Sequence, residues 1–92
     1  MNIKKEEYYS VYMVCCADDS YYTGIATDVE RRIMVHNSGK GAKYTRSRLP
    51  VHLVYKEDGL SKSDALKREI AIKKLSRKEK EALIASSTRS PK

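Results

Sequence analysis

The stretch that decides the fold is Tyr8 to Ile25, which reads YYSVYMVCCADDSYYTGI. Aromatic and β-branched residues fill Tyr8 to Cys16 and return in Tyr21 to Ile25, and a short acidic segment separates the two runs. This pattern predicts a β-hairpin. The first run is apolar on both faces, as is typical of a central strand. We therefore expect a sheet that is covered on both sides.

The chain after the hairpin alternates between helix signals and one more strand. Thr27 with Glu30 resembles a capping box, and the pairs Ser61 with Asp64 and Ser76 with Glu79 mark two further helix starts. The elements predicted after the hairpin are a helix from Asp28 to Asn37, a loop from Gly39 to Pro50, a strand from Val51 to Tyr55, a helix from Ser61 to about Leu75 and a helix from Ser76 to near Ala85. The order ββαβαα predicts an α+β fold with a three-stranded antiparallel sheet flanked by helices.

Length and composition favour one small cytoplasmic domain. The 92 residues suffice for a single modest core, which we place in residues 1–85 with its centre in 8–84. Residues 86–92 are polar and are predicted to be a disordered tail. The sequence has no apolar run of about 18 residues and no signal peptide. Cys15 and Cys16 are adjacent, so we expect reduced core residues rather than a disulfide.

The positive charge is concentrated in the middle of the chain. The formal net charge is +7, but residues 1–28 hold two basic and five acidic side chains. Residues 30–56 hold seven basic and one acidic side chain. An uneven field of this kind favours a polyanionic partner such as nucleic acid, although structural RNA-binding proteins share the property.

The loop from Gly39 to Pro50 carries much of this positive charge. It contains no acidic residue and has one aromatic ring among its basic side chains. This composition is typical of a segment that contacts phosphates, and the alternative is a solvated loop that happens to be basic. The predicted nucleic-acid-binding residues are Lys40, Lys43, Tyr44, Arg46 and Arg48.

Two helices place charged side chains where apolar ones are expected. On a helical wheel Arg32 and His36 lie beside the apolar stripe of the first helix, whereas Arg31 faces solvent. Glu69 lies within the stripe that Ala65, Leu66, Ile70 and Ile72 form on the second helix. A charge so placed needs a partner, because an isolated buried charge is costly. For Glu69 that partner is either Lys73, four residues on, or a cation.

The hairpin offers two tyrosine hydroxyls and a glycine. Tyr12 and Tyr22 are on paired strands and could present their hydroxyls on one face, although core tyrosines would have the same pattern. Gly24 leaves bare backbone, which suits a bulge or the close approach of a substrate or another strand.

These residues resemble the motifs of the GIY-YIG endonuclease superfamily. Ser10-Val11-Tyr12 followed by Tyr22-Thr23-Gly24 is similar to the paired motif that names the superfamily. Arg32, His36 and Glu69 follow at matching spacings, and the run from His36 to Arg46 resembles the small UPF0213 proteins, which are related to a structure-specific nuclease domain. The glycine that leads the motif in the family is Ser10 here, and its two isoleucines are replaced by Val11 and Thr23.

The resemblance implies catalytic roles for Tyr12, Tyr22, Arg32, His36 and Glu69. Glu69 would hold one divalent ion, Mg²⁺ or Mn²⁺, against the scissile phosphate, because magnesium retains waters and accepts substrate oxygens as further ligands. Tyr22 would orient or deprotonate the attacking water, with Tyr12 beside it. Arg32 would stabilise the transition state, and His36 would relay a proton or hold a phosphate oxygen.

The resemblance also implies DNA as the partner. The expected activity is metal-dependent hydrolysis of DNA phosphodiesters, specific for structure rather than sequence, in DNA repair or recombination. We expect a monomer with no membrane contact, and weak substrate binding would call for an accessory protein. One alternative is a nucleic-acid-binding module that is catalytically weak or inactive. Another is a structural protein in which Glu69 and Arg32 simply pair.

Overall fold

The computed structural model describes residues 7–88. They form three strands and four α-helices, with a π-helical turn that continues the first helix. In chain order the elements are β1 (Tyr9–Cys15), β2 (Tyr21–Ala26), α1 (Val29–Val35), the π-helical turn (His36–Lys40), α2 (Lys43–Arg46), β3 (His52–Leu60), α3 (Lys62–Lys73) and α4 (Arg77–Thr88). The predicted α+β class and the antiparallel three-stranded sheet are confirmed.

The sheet has the order β2-β1-β3, with β1 in the centre. Antiparallel pairing sets Tyr12 opposite Gly24 and Val14 opposite Tyr22. Residues 10–14 are all buried, which agrees with a strand that is apolar on both faces. The predicted hairpin and central strand are therefore confirmed.

Each face of the sheet carries its own apolar cluster. Tyr12 and Val14 pack on one face with Val29 of α1. Val11 and Met13 pack on the other face with Ile72 of α3, and Leu83 and Ile84 of α4 complete that side. The period-2 alternation of β1 thus separates the two clusters. The face that holds Tyr12 is also the face on which α1 and the π-helical turn lie.

Helix starts follow the predicted caps with one correction. The cap of α1 is Asp28, whose carboxylate accepts a hydrogen bond from the Arg31 amide at 3.1 Å, so the prediction of Thr27 as the cap is wrong. The Ser61 hydroxyl caps α3 as predicted, by accepting from the Asp64 amide at 3.0 Å. Ser76 and Glu79 form the full reciprocal capping box at the start of α4.

Two predicted bounds differ from those observed. The loop after α1 contains the short helix α2, and β3 continues to Leu60, five residues beyond the predicted end. The residues after Tyr55 in β3 are mostly polar, so periodicity does not reveal them as strand, yet pairing with β1 holds them extended. α4 continues to Thr88, three residues into the predicted disordered tail of residues 86–92, and residues 89–92 lie outside the described residues.

The apolar stripe predicted for α3 is only half correct. Ala65 and Ile72 are buried, but Leu66 and Ile70 are 41% and 55% exposed. α3 contacts both β1 and β2, and Ile72 packs on Val11 and Met13 of β1. Glu69 consequently lies at the border of the buried face, with 18% of its side chain exposed. Within residues 7–88 no helix has the length and apolarity needed to cross a bilayer.

Candidate active site

Gly24 makes room for the side chain of Tyr12. A Cβ atom at position 24 would lie 2.7 Å from the Tyr12 hydroxyl oxygen and 3.0 Å from Cζ, both well inside contact distance. Tyr12 lies directly opposite on β1, and its ring crosses the bare backbone of β2. The close approach expected at this glycine is therefore made by a side chain of the protein itself.

Gly24→Ala is expected to lower the free energy of unfolding by about 1–3 kcal/mol, the usual cost of overpacking a core. Tyr12 is 1% exposed and cannot swing away from the added methyl group. Urea denaturation measures the effect. In a Tyr12→Phe background the hydroxyl that makes the closest clash is absent. Gly24→Ala should therefore lower the free energy of unfolding by less in that background. An equal cost in both backgrounds would contradict this account of Gly24.

A buried chain of hydrogen bonds holds Tyr12. Its hydroxyl lies 2.8 Å from His36 Nε2, and His36 Nδ1 lies 3.0 Å from Thr45 Oγ1. The Thr45 hydroxyl donates to the Ala42 carbonyl at 2.9 Å, so Nδ1 donates to Thr45 and Nε2 accepts from Tyr12. The Ala42 amide also points at Nδ1, but from 3.4 Å, and the two shorter contacts set the tautomer.

The backbone around His36 is shaped to seat the imidazole. A Cβ atom on Gly41 would lie 2.3 Å from His36 Nδ1, so a glycine is required there. Asn37 donates to the Val51 carbonyl at 2.9 Å and accepts from the Val51 amide at 2.7 Å. These two bonds tie the end of α1 to the start of β3. Sequence reasoning assigned no role to Asn37, Gly41 or Thr45, and the only signal was their place in the run after His36.

Arg32 lies near the Tyr12 hydroxyl and the His36 ring. The positive charge of its exposed guanidinium acts to lower the pKa of both groups. Burial and, to a smaller extent, the neighbouring Tyr22 raise the pKa of Tyr12, Arg32 opposes both, and the resulting pKa is about 12. Tyr12 therefore keeps its proton at neutral pH. Within residues 7–88 no carboxylate forms an ion pair with Arg32, so the alternative in which Arg32 and Glu69 simply pair is wrong.

His36 is neutral at pH 7. Burial lowers its pKa below the ordinary 6.5, and the nearby Arg32 cation lowers it further. Both ring nitrogens are engaged by Tyr12 and Thr45. The side chain is 1% exposed, so it positions Tyr12 and is not free to hold a phosphate oxygen.

The free energy of unfolding is expected to fall as the pH drops from 7 to 5 because of His36. Its folded pKa lies below the unfolded value, so the unfolded chain takes up a proton first, and stability is lost as pH falls through the folded pKa. Urea denaturation at several pH values measures this. His36→Gln should reduce the slope, whereas His52→Gln, on an exposed side chain, should not. Equal slopes in the two variants would contradict the assignment.

Tyr22 lines a groove of about 570 Å³. Its ring contacts His36 edge-on at 5.4 Å between centroids and Tyr12 at 6.5 Å. Within residues 7–88 the Tyr22 hydroxyl has no hydrogen-bond partner. The groove also brings together the basic side chains of α1 and the turn after it, namely Arg31, Arg32 and Lys40. Arg31, predicted to face solvent, thus borders this groove too.

The basic loop is divided between internal and free side chains. Arg48 pairs with Asp18 at 3.0 Å, and its guanidinium lies 3.9 Å from the centre of the Tyr44 ring. The Tyr44 ring in turn stacks on Tyr22 at 6.0 Å. Arg46 donates to the Gly41 carbonyl at 3.3 Å. Lys40 and Lys43 are exposed and have no ion pair within residues 7–88, so they are the loop cations best placed to meet a partner.

Comparison with known proteins agrees with this geometry. The model of the family described as "GIY-YIG catalytic domain" matches residues 8–82. The chain belongs to the GIY-YIG family. It is 58% identical over 73 residues to a UPF0213 protein of Halobacterium salinarum, covering 79% of this chain and 95% of that protein. A UPF0213 protein of Staphylococcus saprophyticus is 56% identical over 75 residues, 82% of this chain and 92% of the relative.

Two solved structures resemble this GIY-YIG domain. The NMR structure of a UPF0213 protein from Bacillus halodurans is 49% identical, with a TM-score of 0.56, over 91% of this chain and 88% of that one. The NMR structure of a protein from E. faecalis is 41% identical, with a TM-score of 0.59, over 100% and 96% of the two chains. The predicted relation to the GIY-YIG and UPF0213 proteins is therefore confirmed, and the domain is that of an endonuclease family.

Among the described residues, Glu69 is the side chain that would hold a divalent ion in this GIY-YIG domain. Within residues 7–88 no three His, Cys, Asp or Glu side chains form a cluster that could hold a metal. The negative charge of Glu69 is close enough to Tyr12 to raise the pKa of that hydroxyl. Lys73 Nζ lies 3.2 Å from the Glu69 carboxylate. A single carboxylate suits magnesium, which keeps several waters and takes substrate oxygens. Such an ion would compete with Lys73 for Glu69.

Proposed function

We propose that this GIY-YIG domain is a metal-dependent endonuclease that hydrolyses DNA phosphodiesters. The observation that carries the proposal is that Tyr22 and Arg32 line the same basic groove. The Tyr22 hydroxyl has no hydrogen-bond partner within residues 7–88. A phosphate in that groove would meet a hydroxyl suited to orienting water and a cation suited to the negative charge of the transition state.

Tyr22 and Arg32 in the groove, and Glu69 on α3 outside its lining, each have a distinct part in the proposed reaction. Tyr22 lines the groove and its hydroxyl has no hydrogen-bond partner within residues 7–88, so its oxygen can orient the attacking water, and its phenolate form would take up the proton that the water loses. Arg32 stabilises the charge that develops on the phosphoryl oxygens. Glu69 would hold a divalent ion, which when bound polarises the phosphate and stabilises the leaving oxygen.

Tyr12 and His36 act as positioning residues in this proposal. The Tyr12 hydroxyl donates to His36 and lies near the Arg32 guanidinium, so it helps to define where that guanidinium can lie. Its high pKa keeps it a donor rather than a base. His36 is held in one tautomer by Thr45, and this fixes the Tyr12 hydroxyl in turn.

The substrate we propose is branched or nicked DNA rather than a particular sequence. The groove presents guanidinium and ammonium groups, which bind phosphates and do not read base edges. Lys40, Lys43, Tyr44, Arg46 and Arg48 are proposed to follow the DNA backbone, with Tyr44 and Arg48 released from their internal contacts when they do so. A role in DNA repair or recombination in the cytoplasm, as a monomer, agrees with such a substrate.

Incubation of the protein with supercoiled, nicked and branched DNA tests the proposal. Cleavage is expected with magnesium or manganese and is expected to stop when EDTA is added. The branched or nicked substrate should be cut faster than intact duplex. Absence of metal-dependent cleavage on all three substrates would overturn the assignment.

One contact favours a second candidate, a DNA-binding module that does not cut. The Glu69 carboxylate is already paired with Lys73, as a carboxylate with a structural role would be. This candidate predicts salt-sensitive DNA binding without cleavage, and Lys43→Glu combined with Arg46→Glu should weaken that binding. Metal-dependent cleavage by the wild type would exclude it.

A further inference from the structure

Tyr22 also lines a second cleft, of about 260 Å³. Because Tyr22 lines both this cleft and the basic groove, the two depressions adjoin at this side chain. The other lining residues come from β2, α2, α3 and α4, namely Tyr21, Thr23, Tyr44, Lys73 and Lys80. β2 is the edge strand of the sheet, which leaves this side open to a partner. The lining is cationic and aromatic and contains no carboxylate.

Lys80 is the unusual residue of the second cleft. It is half-buried, yet within residues 7–88 no carboxylate pairs with it. Both neighbouring glutamates are engaged elsewhere, because Glu79 accepts from the Ser76 amide at 2.9 Å and Glu81 pairs with Arg77 at 3.0 Å. A partly desolvated ammonium gains from an anionic partner, and this one has none in the fold.

We propose that the second cleft binds a phosphate of the DNA strand next to the one in the basic groove, with Lys80 as its anchor. The proposal rests on the proposed function, since it places the scissile phosphate at Tyr22 and Arg32. A strand that passes over Tyr22 carries regularly spaced phosphates, so it presents one to each depression. Neither the basic loop nor the catalytic residues predicted from sequence include Lys80.

Lys73 links this subsite to Glu69. Its ammonium is 3.2 Å from the Glu69 carboxylate and 6.0 Å from the centre of the Tyr22 ring, and it also lines the second cleft. A phosphate in the cleft competes with Glu69 for this ammonium. Strand binding therefore releases the carboxylate, which is the group that would hold the divalent ion.

Fluorescence anisotropy with labelled nicked DNA in EDTA tests the inference across a series of salt concentrations. Lys80→Gln should weaken binding and reduce the slope of log affinity against log salt by about 1, as expected for one lost phosphate contact. The matched control is Lys78→Gln, which removes the same charge from an exposed position on α4 outside both depressions. Lys80→Arg should retain binding. Thermal unfolding checks that all three variants are folded.

The possible results separate this inference from the proposed function. If Lys80→Gln binds like Lys78→Gln while the wild type cuts DNA, the inference is overturned and the nuclease assignment stands. If binding depends on Lys80 but the wild type never cuts, the inference stands and the assignment fails. Absence of DNA binding by the wild type overturns both. If inorganic phosphate instead raises the thermal unfolding temperature of the wild type but not of Lys80→Gln, while Lys80→Gln binds DNA like the wild type, that result would show a site for free phosphate and overturn the inference.

Discussion

Cleavage by Tyr22→Phe is expected to fall by about 10²- to 10⁴-fold, the usual contribution of a positioned acid–base group. The substitution removes only the hydroxyl. The ring contacts of Tyr22 with His36 at 5.4 Å and Tyr44 at 6.0 Å remain, so the fold and the groove are kept. Initial rates on nicked or branched DNA with magnesium measure the loss.

The matched control for Tyr22 is Tyr9→Phe, at the start of β1 and outside both depressions. It removes the same hydroxyl from the same type of residue and should cut DNA at the wild-type rate. Circular dichroism should show all three proteins folded. Wild-type cleavage by the folded Tyr22→Phe variant would remove Tyr22 from the proposed mechanism.

Glu69→Gln is expected to lower metal-dependent cleavage at least about 100-fold while the fold remains stable. A bound ion contributes several kcal/mol to the transition state, and about 1.4 kcal/mol corresponds to tenfold in rate. The pair that Glu69 forms with Lys73 is an i,i+4 pair, worth only about 0.2–0.5 kcal/mol. Stabilisation of the wild type by manganese, measured by thermal unfolding, should also disappear in the variant.

The structure offers a matched control for Glu69 on the neighbouring helix. Glu81 forms an i,i+4 pair with Arg77 at 3.0 Å, much as Glu69 does with Lys73. Glu81→Gln should therefore have a similar small effect on stability and none on cleavage or on manganese binding. A loss of more than about 2 kcal/mol of stability in Glu69→Gln, with cleavage unchanged, would instead give Glu69 a purely structural role.

Local patterns were sufficient to predict much of the fold. The two runs of strand-forming residues around Asp18 and Asp19 predict the hairpin, because alternation and turn chemistry act over a few neighbouring residues. The caps at Ser61 and Ser76 were predicted for the same reason, since each bond joins residues three apart. The prediction of Thr27 as the cap failed because Asp28, one residue later, has a carboxylate oxygen that accepts from the Arg31 amide.

Several features of the candidate site depend on contacts between distant residues. Gly24 faces a ring from another strand, and Asn37 bonds to Val51 across 14 residues. Arg48 was predicted to contact phosphate but is held by Asp18, 30 residues away. Leu66 and Ile70 could not be recognised as exposed, because a helical wheel does not show how much of an apolar stripe the sheet covers.

By itself the sequence determined the class of fold and predicted the five candidate site positions, since strand alternation, helix caps and motif spacing are local properties of the chain. Only the tertiary structure decided how those side chains divide their work. Tyr12 and Tyr22 have the same side chain, yet Tyr12 is buried against His36 with a pKa of about 12, whereas Tyr22 lines the groove and its hydroxyl has no hydrogen-bond partner within residues 7–88. Burial and neighbouring charge set these differences, and both depend on which residues the folded chain brings together.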